Sequence, residues 1–552
     1  MSAPLQSAKP HYPRHADVLR SATLTATLLS CYLGFGQANV APRSSPECHL
    51  QAYGAIGDGK TLNSSAIKAA IADCHSHGGG TVVVDPGIYR TGTIELLDNT
   101  TLMLSTGATL LGSDNLADYP RMANASEERN TALIVAEHAH NVSIVGEGTI
   151  DGNGRAFIDQ REHLWVPFFD TAQTRQGPAL EERMRQAREG PVKMKPRPGI
   201  LILFLDSDGI TLRDFHVVDS PNWSVHVACS DHISVRGLDV RNSLLVPNSD
   251  GIDISASSNA TVSDSLVEAG DDALVFGGPT ADGWCQRPAE NMTASDVILH
   301  SHSSAIRIGP AARDVRNFTF QNVVIRDSNR GINIQARGGE VVENVLFSNV
   351  VSETRLIDGS WWGAGEPISI TAANWAYASW SGTEKVGRVQ HVKVSNMIAR
   401  SQSPIVLYSL EPGHIEDINL SGLDLTMQSS ELQALLGGNL DLQPATPRSL
   451  GLFRHDLSAI VAHNIQDLTL SHLTVRWEGT FPAFYRNAVE VDGFDGLTIE
   501  NFHGQASSSG YAALRLRNGK SLSIDEPNGT GSQVDSKDVS PRSYTAPGAG
   551  RY

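Results

Sequence analysis

Two acidic clusters hold the residues best suited to breaking bonds. Asn248-Ser249-Asp250-Gly251-Ile252-Asp253 is followed by Gly270-Asp271-Asp272, and Asp250 stands 21 residues before Asp271. Grouped carboxyl groups do acid/base work when they are held in different protonation states. One gives a proton to a leaving oxygen while an ionised partner activates water or attacks carbon. Crowding three carboxylates opposes ionising all of them, which lifts at least one pKa toward the range a general acid needs. Turn carboxylates at the corners of a repeat would leave the same letters, and for one Asp alone that is the better reading. Three on adjacent repeats favour chemistry. Adjacent Asp271 and Asp272 would face opposite ways on a regular strand, so the pair is expected at a bend where Gly270 lets the chain turn.

The spacing has meaning only if one structural repeat is about 21 residues long. From about residue 130 to 525 a short alternating strand and a turn with Gly, Asn or Asp do recur. Examples are Asn141-Val142-Ser143-Ile144-Val145-Gly146, His232-Ile233-Ser234-Val235-Arg236-Gly237, Val315-Arg316-Asn317-Phe318-Thr319-Phe320 and Leu468-Thr469-Leu470-Ser471. Neighbouring copies lie mostly 22 to 30 residues apart. A period of that size with β-type alternation is the signature of a solenoid, and no helix-length periodic segment lies between copies to make βαβ units. The expected fold is all-β: a single-stranded right-handed parallel β-helix, each copy one coil, with Asp250 and Asp271 stacked on one face. A propeller or tandem sandwiches would need regular two-residue hairpin turns, which the copies lack.

Elements around the repeat set the domain plan. Residues 1–38 read as a leader, with Arg14, His15 and Arg20 before the weakly apolar run Ser21 to Phe35 and small residues at Gly36-Gln37-Ala38. Leu28-Leu29-Ser30-Cys31 offers lipid attachment at Cys31 as an alternative to release, and a disordered arm is a further one. The β-helix domain is expected over 45–525. It opens with a cap in which Ser64 to Cys74 forms a helix with Ser64 as N-cap, closed by Gly78-Gly79-Gly80. A helical insertion is expected at 156–198, an aromatic loop with Trp361, Trp362, Trp375, Tyr377 and Trp380 at 356–385, and a disordered tail at 526–552. Four cysteines follow the leader; Cys48 and Cys74 bracket one short unit and are the favoured pair, and no spacing suits metal ligation. The formal charge is −17, with 43 Lys+Arg against 60 Asp+Glu, which disfavours nucleic acid as a partner. No segment reads as a membrane span.

The chain resembles glycoside hydrolase family 28, the polygalacturonase-like pectinases, from about residue 50 to 480. The resemblance rests on Tyr53-Gly54-Ala55 with Gly57-Asp58-Gly59, on Gly148-Thr149-Ile150-Asp151-Gly152-Asn153-Gly154, and on Asp219-Ser220-Pro221-Asn222-Trp223. Most specific are Asn248-Ser249-Asp250, similar to the family's Asn-Thr-Asp motif, and Gly270-Asp271-Asp272, similar to its Gly/Gln-Asp-Asp motif. The resemblance implies a right-handed β-helix and inverting hydrolysis, with Asp271 as general acid and Asp250 and Asp272 positioning and deprotonating water.

Two motifs depart from that pattern. Where the family has Gly-His-Gly, alignment back from Ile308-Gly309 puts Ser304 at the histidine position, with His302 two residues earlier as a substitute. Where it has Arg-Ile-Lys, the chain has Asn333-Ile334-Gln335. Arg307, Arg330 and Arg337 are expected on neighbouring coils as carboxylate receptors in their place. Asn248 and Trp362 join them as substrate-binding candidates, the Trp as a stacking wall, and Glu366 is an outside candidate acid. The reading is a secreted or periplasmic monomeric glycosidase without cofactor or metal, cleaving α-linked galacturonosyl-type bonds in pectin or its oligosaccharides. The acidic charge and the missing cations favour short, branched or partly neutral substrates. The alternatives are a glycosidase on a neutral or branched glycan, a Ca²⁺-dependent pectate-lyase-like enzyme, and a non-catalytic glycan-binding solenoid.

Overall fold

Alternation makes each short strand apolar on one side only, so a strand can bury that side solely by stacking on copies of itself. The computed structural model describes residues 46–121, 131–163, 169–278, 285–311, 313–374, 385–525 and 534–545. In it the parallel pairing runs coil on coil: Val225, Ile252, Leu274, Ile306, Ile332 and Ile368 lie above one another in register, all inside one continuous apolar core. Among the described residues one sheet of 33 strands accounts for the parallel β-helix. Aromatic rings stack within this core, with Phe320 on Phe347 at 4.6 Å and Phe276 edge-on to Phe318.

The corners belong to asparagine as much as to glycine. Asn259, Asn291, Asn317 and Asn344 all take positive φ, and each amide donates to the carbonyl oxygen of the preceding one, the last two links at 3.0 and 3.1 Å. Asp296, Asn322, Asn349 and Asn396 form a second such column. A short amide tolerates the left-handed conformation and ties one coil to the next, which glycine cannot do.

Several expectations change. The cap helix spans Ser64–Ser76, but Asn63 occupies the cap position and the Ser64 hydroxyl accepts instead from the Gly92 amide. Disulfides join Cys48 to Cys74, as favoured, and Cys229 to Cys285. The 156–198 insertion is only briefly helical, at Ala179–Arg185. Ile158–His163 pairs antiparallel with Val192–Met194 across its base. The aromatic loop ends early, because Ile368–Ala372 is a coil strand; Trp375, Tyr377 and Trp380 lie outside the described residues, as do the expected leader and Cys31. The tail is not wholly irregular: Val534–Thr545 adds another parallel strand on Leu514–Asp525, with Val534 on Leu514. No described helix is long and apolar enough to cross a membrane.

Candidate active site

Two successive coils bring the acids together. Asp250 ends the turn before strand Ile252–Ser255, and Asp271 and Asp272 fill the bend between Leu266–Ala269 and Leu274–Phe276. Glycine is needed here for close approach. A Cβ on Gly251 would stand 2.2 Å from Val267 Cγ1, and one on Gly270 would stand 2.3 Å from the Val246 carbonyl oxygen. The expected bend at Gly270 is present, with its amide donating to Ser249 Oγ at 3.0 Å. One oxygen from each of Asp250, Asp271 and Asp272 falls within 4.8 Å of the others, and the three residues are only 2–5% exposed.

Their surroundings differ, and the differences assign roles. Burial first, then Asp272, pushes the Asp271 carboxyl up to about 7, against the opposing pull of Arg307, Ser303 and Asn248. Burial and the neighbouring Asp271, Asp253 and Asp272 hold Asp250 well above the usual carboxylate range. Asp250 Oδ1 has no hydrogen-bond partner among the described residues. Asp272 is the ion-paired member: Arg307 Nη1 lies 3.0 Å from its Oδ2, while Ser303 Oγ and the Ser304 amide donate to its Oδ1. Asn248, held at φ +57°, donates its backbone amide (3.3 Å) and Nδ2 (3.5 Å) to Asp271 Oδ2. The set therefore contains a proton donor, an anion fixed by a cation, and a third buried carboxyl facing both.

The cationic candidates separate. Arg307 belongs to the site, with Asp272 on one nitrogen and Asp253 at 4.0 Å, while its Nε has no hydrogen-bond partner among the described residues. Arg330 is not a substrate receptor: it is 1% exposed and locked between Glu366 (3.2 Å) and Asp441 (3.4 Å). Arg337 is also excluded, being fully buried with its guanidinium on the carbonyls of Thr371, Leu442 and Pro444 and on Thr371 Oγ1. Burial pushes it down to about 9. Glu366 is spent on Arg330 and the Ala364 amide, so it is no free acid. Trp362 is half-buried on the same loop, its carbonyl accepting from Asn329.

His302 does not join the carboxylates. Its ring packs edge-on to Trp361 at 5.4 Å and beside His300, in the field of Glu189 and Arg355, and burial pushes it down to about 4. Ser303 and Ser304 do touch Asp272, so this segment contributes through hydroxyl and amide. Asp253, quoted in the first acidic motif but given no role, stacks in register between His226 and Val275 beside Arg307. Arg197, from the Pro-rich end of the insertion, donates to the Pro221 and Pro247 carbonyls and to Asn248 Oδ1. Its flanking prolines were the only sequence signal. Asp441 had none, standing 170 residues after Asp271 on a hairpin of its own.

The glycosyl hydrolases family 28 model matches residues 176–434, the span that contains all three acids and Arg307. An exo-poly-alpha-D-galacturonosidase of Dickeya chrysanthemi is 26% identical over 63% of this chain and 63% of its own length. A probable polygalacturonase of Vitis vinifera is 27% identical over 52% of this chain and 57% of its own length. The chain thus spans about six tenths of these relatives. Among solved structures, the family 28 exopolygalacturonase of Yersinia enterocolitica superposes with a TM-score of 0.58 over 83% of this chain and 78% of its own, at 17% identity, a likeness of fold. The acidic segment and Arg307 thus lie within the stretch of this chain that is similar to glycosyl hydrolases family 28.

Proposed function

We propose that the protein is an exported glycosidase that hydrolyses α-linked galacturonosyl-type bonds in pectin or pectin-derived oligosaccharides, with inversion. The observation that carries this reading is the buried Asp250–Asp271–Asp272 group with Arg307 fixed on Asp272. Asp271, carrying its proton up to about pH 7, donates to the glycosidic oxygen as the bond to the anomeric carbon breaks. A water held between two carboxylates at ordinary hydrogen-bond lengths needs their oxygens about 4.5 Å apart, and one oxygen from each of the trio lies within 4.8 Å of the others. Asp272 takes the proton of that water as it attacks, and Asp250 orients it. The Nε of Arg307, which has no hydrogen-bond partner among the described residues, suits a substrate carboxylate. Two disulfides accord with an oxidising compartment.

A double displacement is the second reading, because carboxyl groups about 5 Å apart are the ordinary spacing of retaining enzymes. A Ca²⁺-dependent elimination is disfavoured: Arg307 already supplies the positive charge that a cation among these acids would bring. The test is release of reducing ends from polygalacturonate and from partly esterified pectin. Reducing ends without an unsaturated, ultraviolet-absorbing product support hydrolysis. An unsaturated product abolished by chelator refutes it, and equal processing by Asp271→Asn refutes the catalytic role of the trio.

A further inference from the structure

The outward side of the acid-bearing sheet does not stay open along the solenoid. Two coils beyond the acids, about 10 Å along the axis, strand Arg330–Ala336 turns its inward residues Ile332, Ile334 and Ala336 to the core. Its outward residues meet a second insertion, the hairpin of Asn439–Asp441 with Leu452–Arg454. Gln335 Nε2 donates to the Gln443 carbonyl (3.3 Å), Arg337 to the Leu442 and Pro444 carbonyls, and Asp441 accepts from the Gly363 amide (3.1 Å) and pairs with Arg330. Leu442 and Ala445 bury themselves on Ala373 of the next coil. The buried Arg330–Glu366–Asp441 group thus pins a loop across the sheet face.

The first insertion reaches the same loop from the other end of the chain. Its return limb runs past Asn248 through Arg197, and past the Trp361 loop through Glu189, whose carbonyl accepts from Trp361 Nε1 at 2.7 Å. Its tip closes on the hairpin: the Arg175 backbone amide donates to Asn439 Oδ1 (2.7 Å), and its side chain donates to the carbonyls of Gly438 (3.1 Å) and His455 (2.9 Å) and pairs with Asp456. Gln176 exchanges bonds with Gly437 and Asn439. Phe169, Leu180, Leu356, Leu436 and Leu452 make a small apolar core beneath the joint. Side chains buried on this scale fix a wall, since each ordered Arg or Gln costs entropy that only several simultaneous bonds offset.

We propose that this clasp between residues 169–197 and 436–456 closes the outward sheet face beyond the acids, so that the site takes chain ends and short oligosaccharides and excludes the middle of a long polymer. All three acids are only 2–5% exposed, which accords with such enclosure. The inference rests on the hydrolase reading and adds its mode of attack.

The test follows product lengths and viscosity together during the first few per cent of polygalacturonate cleavage. Wild type is expected to release one or two short products from the start with little fall in viscosity. Arg175→Ala combined with Gln176→Ala is expected to release a wider range of lengths and to raise the viscosity loss per bond cut several-fold. A broad ladder of lengths from wild type overturns the end-directed mode while leaving hydrolysis intact. An end-directed wild type with an unchanged variant overturns the clasp as its cause. A protein that frees no reducing ends from any pectic substrate overturns the hydrolase reading and this mode with it.

Discussion

Replacing Arg307 by Gln isolates the electrostatics of the site. At 3.0 Å from Asp272 Oδ2 the guanidinium contributes a gross attraction of about 5 kcal/mol at an effective dielectric constant near 20. Removing one partner of a buried pair costs about 3–5 kcal/mol, because the other charge stays buried and uncompensated. With an unfolding entropy of roughly 2 cal/mol/K per residue, each kcal/mol moves the Tm of a chain this long by about 1 °C, so the expected fall is about 3–5 °C. Arg307 also opposes the upward shift of Asp271. Without it, Asp271 keeps its proton to higher pH, and the basic limb of kcat/KM moves up from about 7. Asp272 then loses the guanidinium that holds its Oδ2, so the rate falls even where Asp271 is correctly protonated. The assay is a double-mutant cycle by thermal denaturation with Arg307→Gln, Asp272→Asn and the pair, together with pH profiles of the single variant. Arg307→Gln/Asp272→Asn should recover most of the stability and none of the activity. A single variant that loses under 1 °C, or a double variant no more stable than Arg307→Gln, would refute the pairing.

Asp271→Asn should lower kcat by roughly 10²–10⁴ and abolish the basic limb near pH 7, which a pH–rate profile reads directly. Because its folded carboxyl titrates well above the unfolded one, Asp271 stabilises the fold most below pH 4. That contribution drains away as pH rises through about 7, so Asp271→Asn should flatten denaturant stability between pH 4 and 7. His302→Gln should leave the pH profile in place, since a ring packed on Trp361 and titrating near 4 carries no proton for the reaction; a lost acid or basic limb would return it to the catalytic set. Arg330→Met should cost about 3–5 kcal/mol by stranding Glu366 and Asp441, measured by urea unfolding.

The fold was legible because its periodicity is carried by side chains that repeat on every coil, and a strand period of two with a coil period above twenty admits few architectures. The acid trio was legible for the same reason: a repeat converts 21 residues of sequence into one coil of space. What the repeat does not encode was misread. Arg330 and Arg337 lie on the coils expected of them, but the hairpin at 439–454 arrives from more than a hundred residues downstream and uses both as internal ties. No local pattern announces such a partner. His302 was expected to substitute from two residues before the family's histidine position, yet the chain leaves regular strand geometry between Ser301 and Ser304 and the ring packs against Trp361. The turns with Gly, Asn or Asp were visible in the repeat, whereas the amide columns needed a register between coils that the sequence does not print.

The central claim is that Asp271 protonates the leaving oxygen while Asp272 deprotonates a water held between carboxylates. Its most direct test is the anomer first released from an α-linked galacturonide, followed by NMR before mutarotation. A β-anomer at the earliest times is the predicted result. An α-anomer would contradict it and make Asp250 or Asp272 a nucleophile.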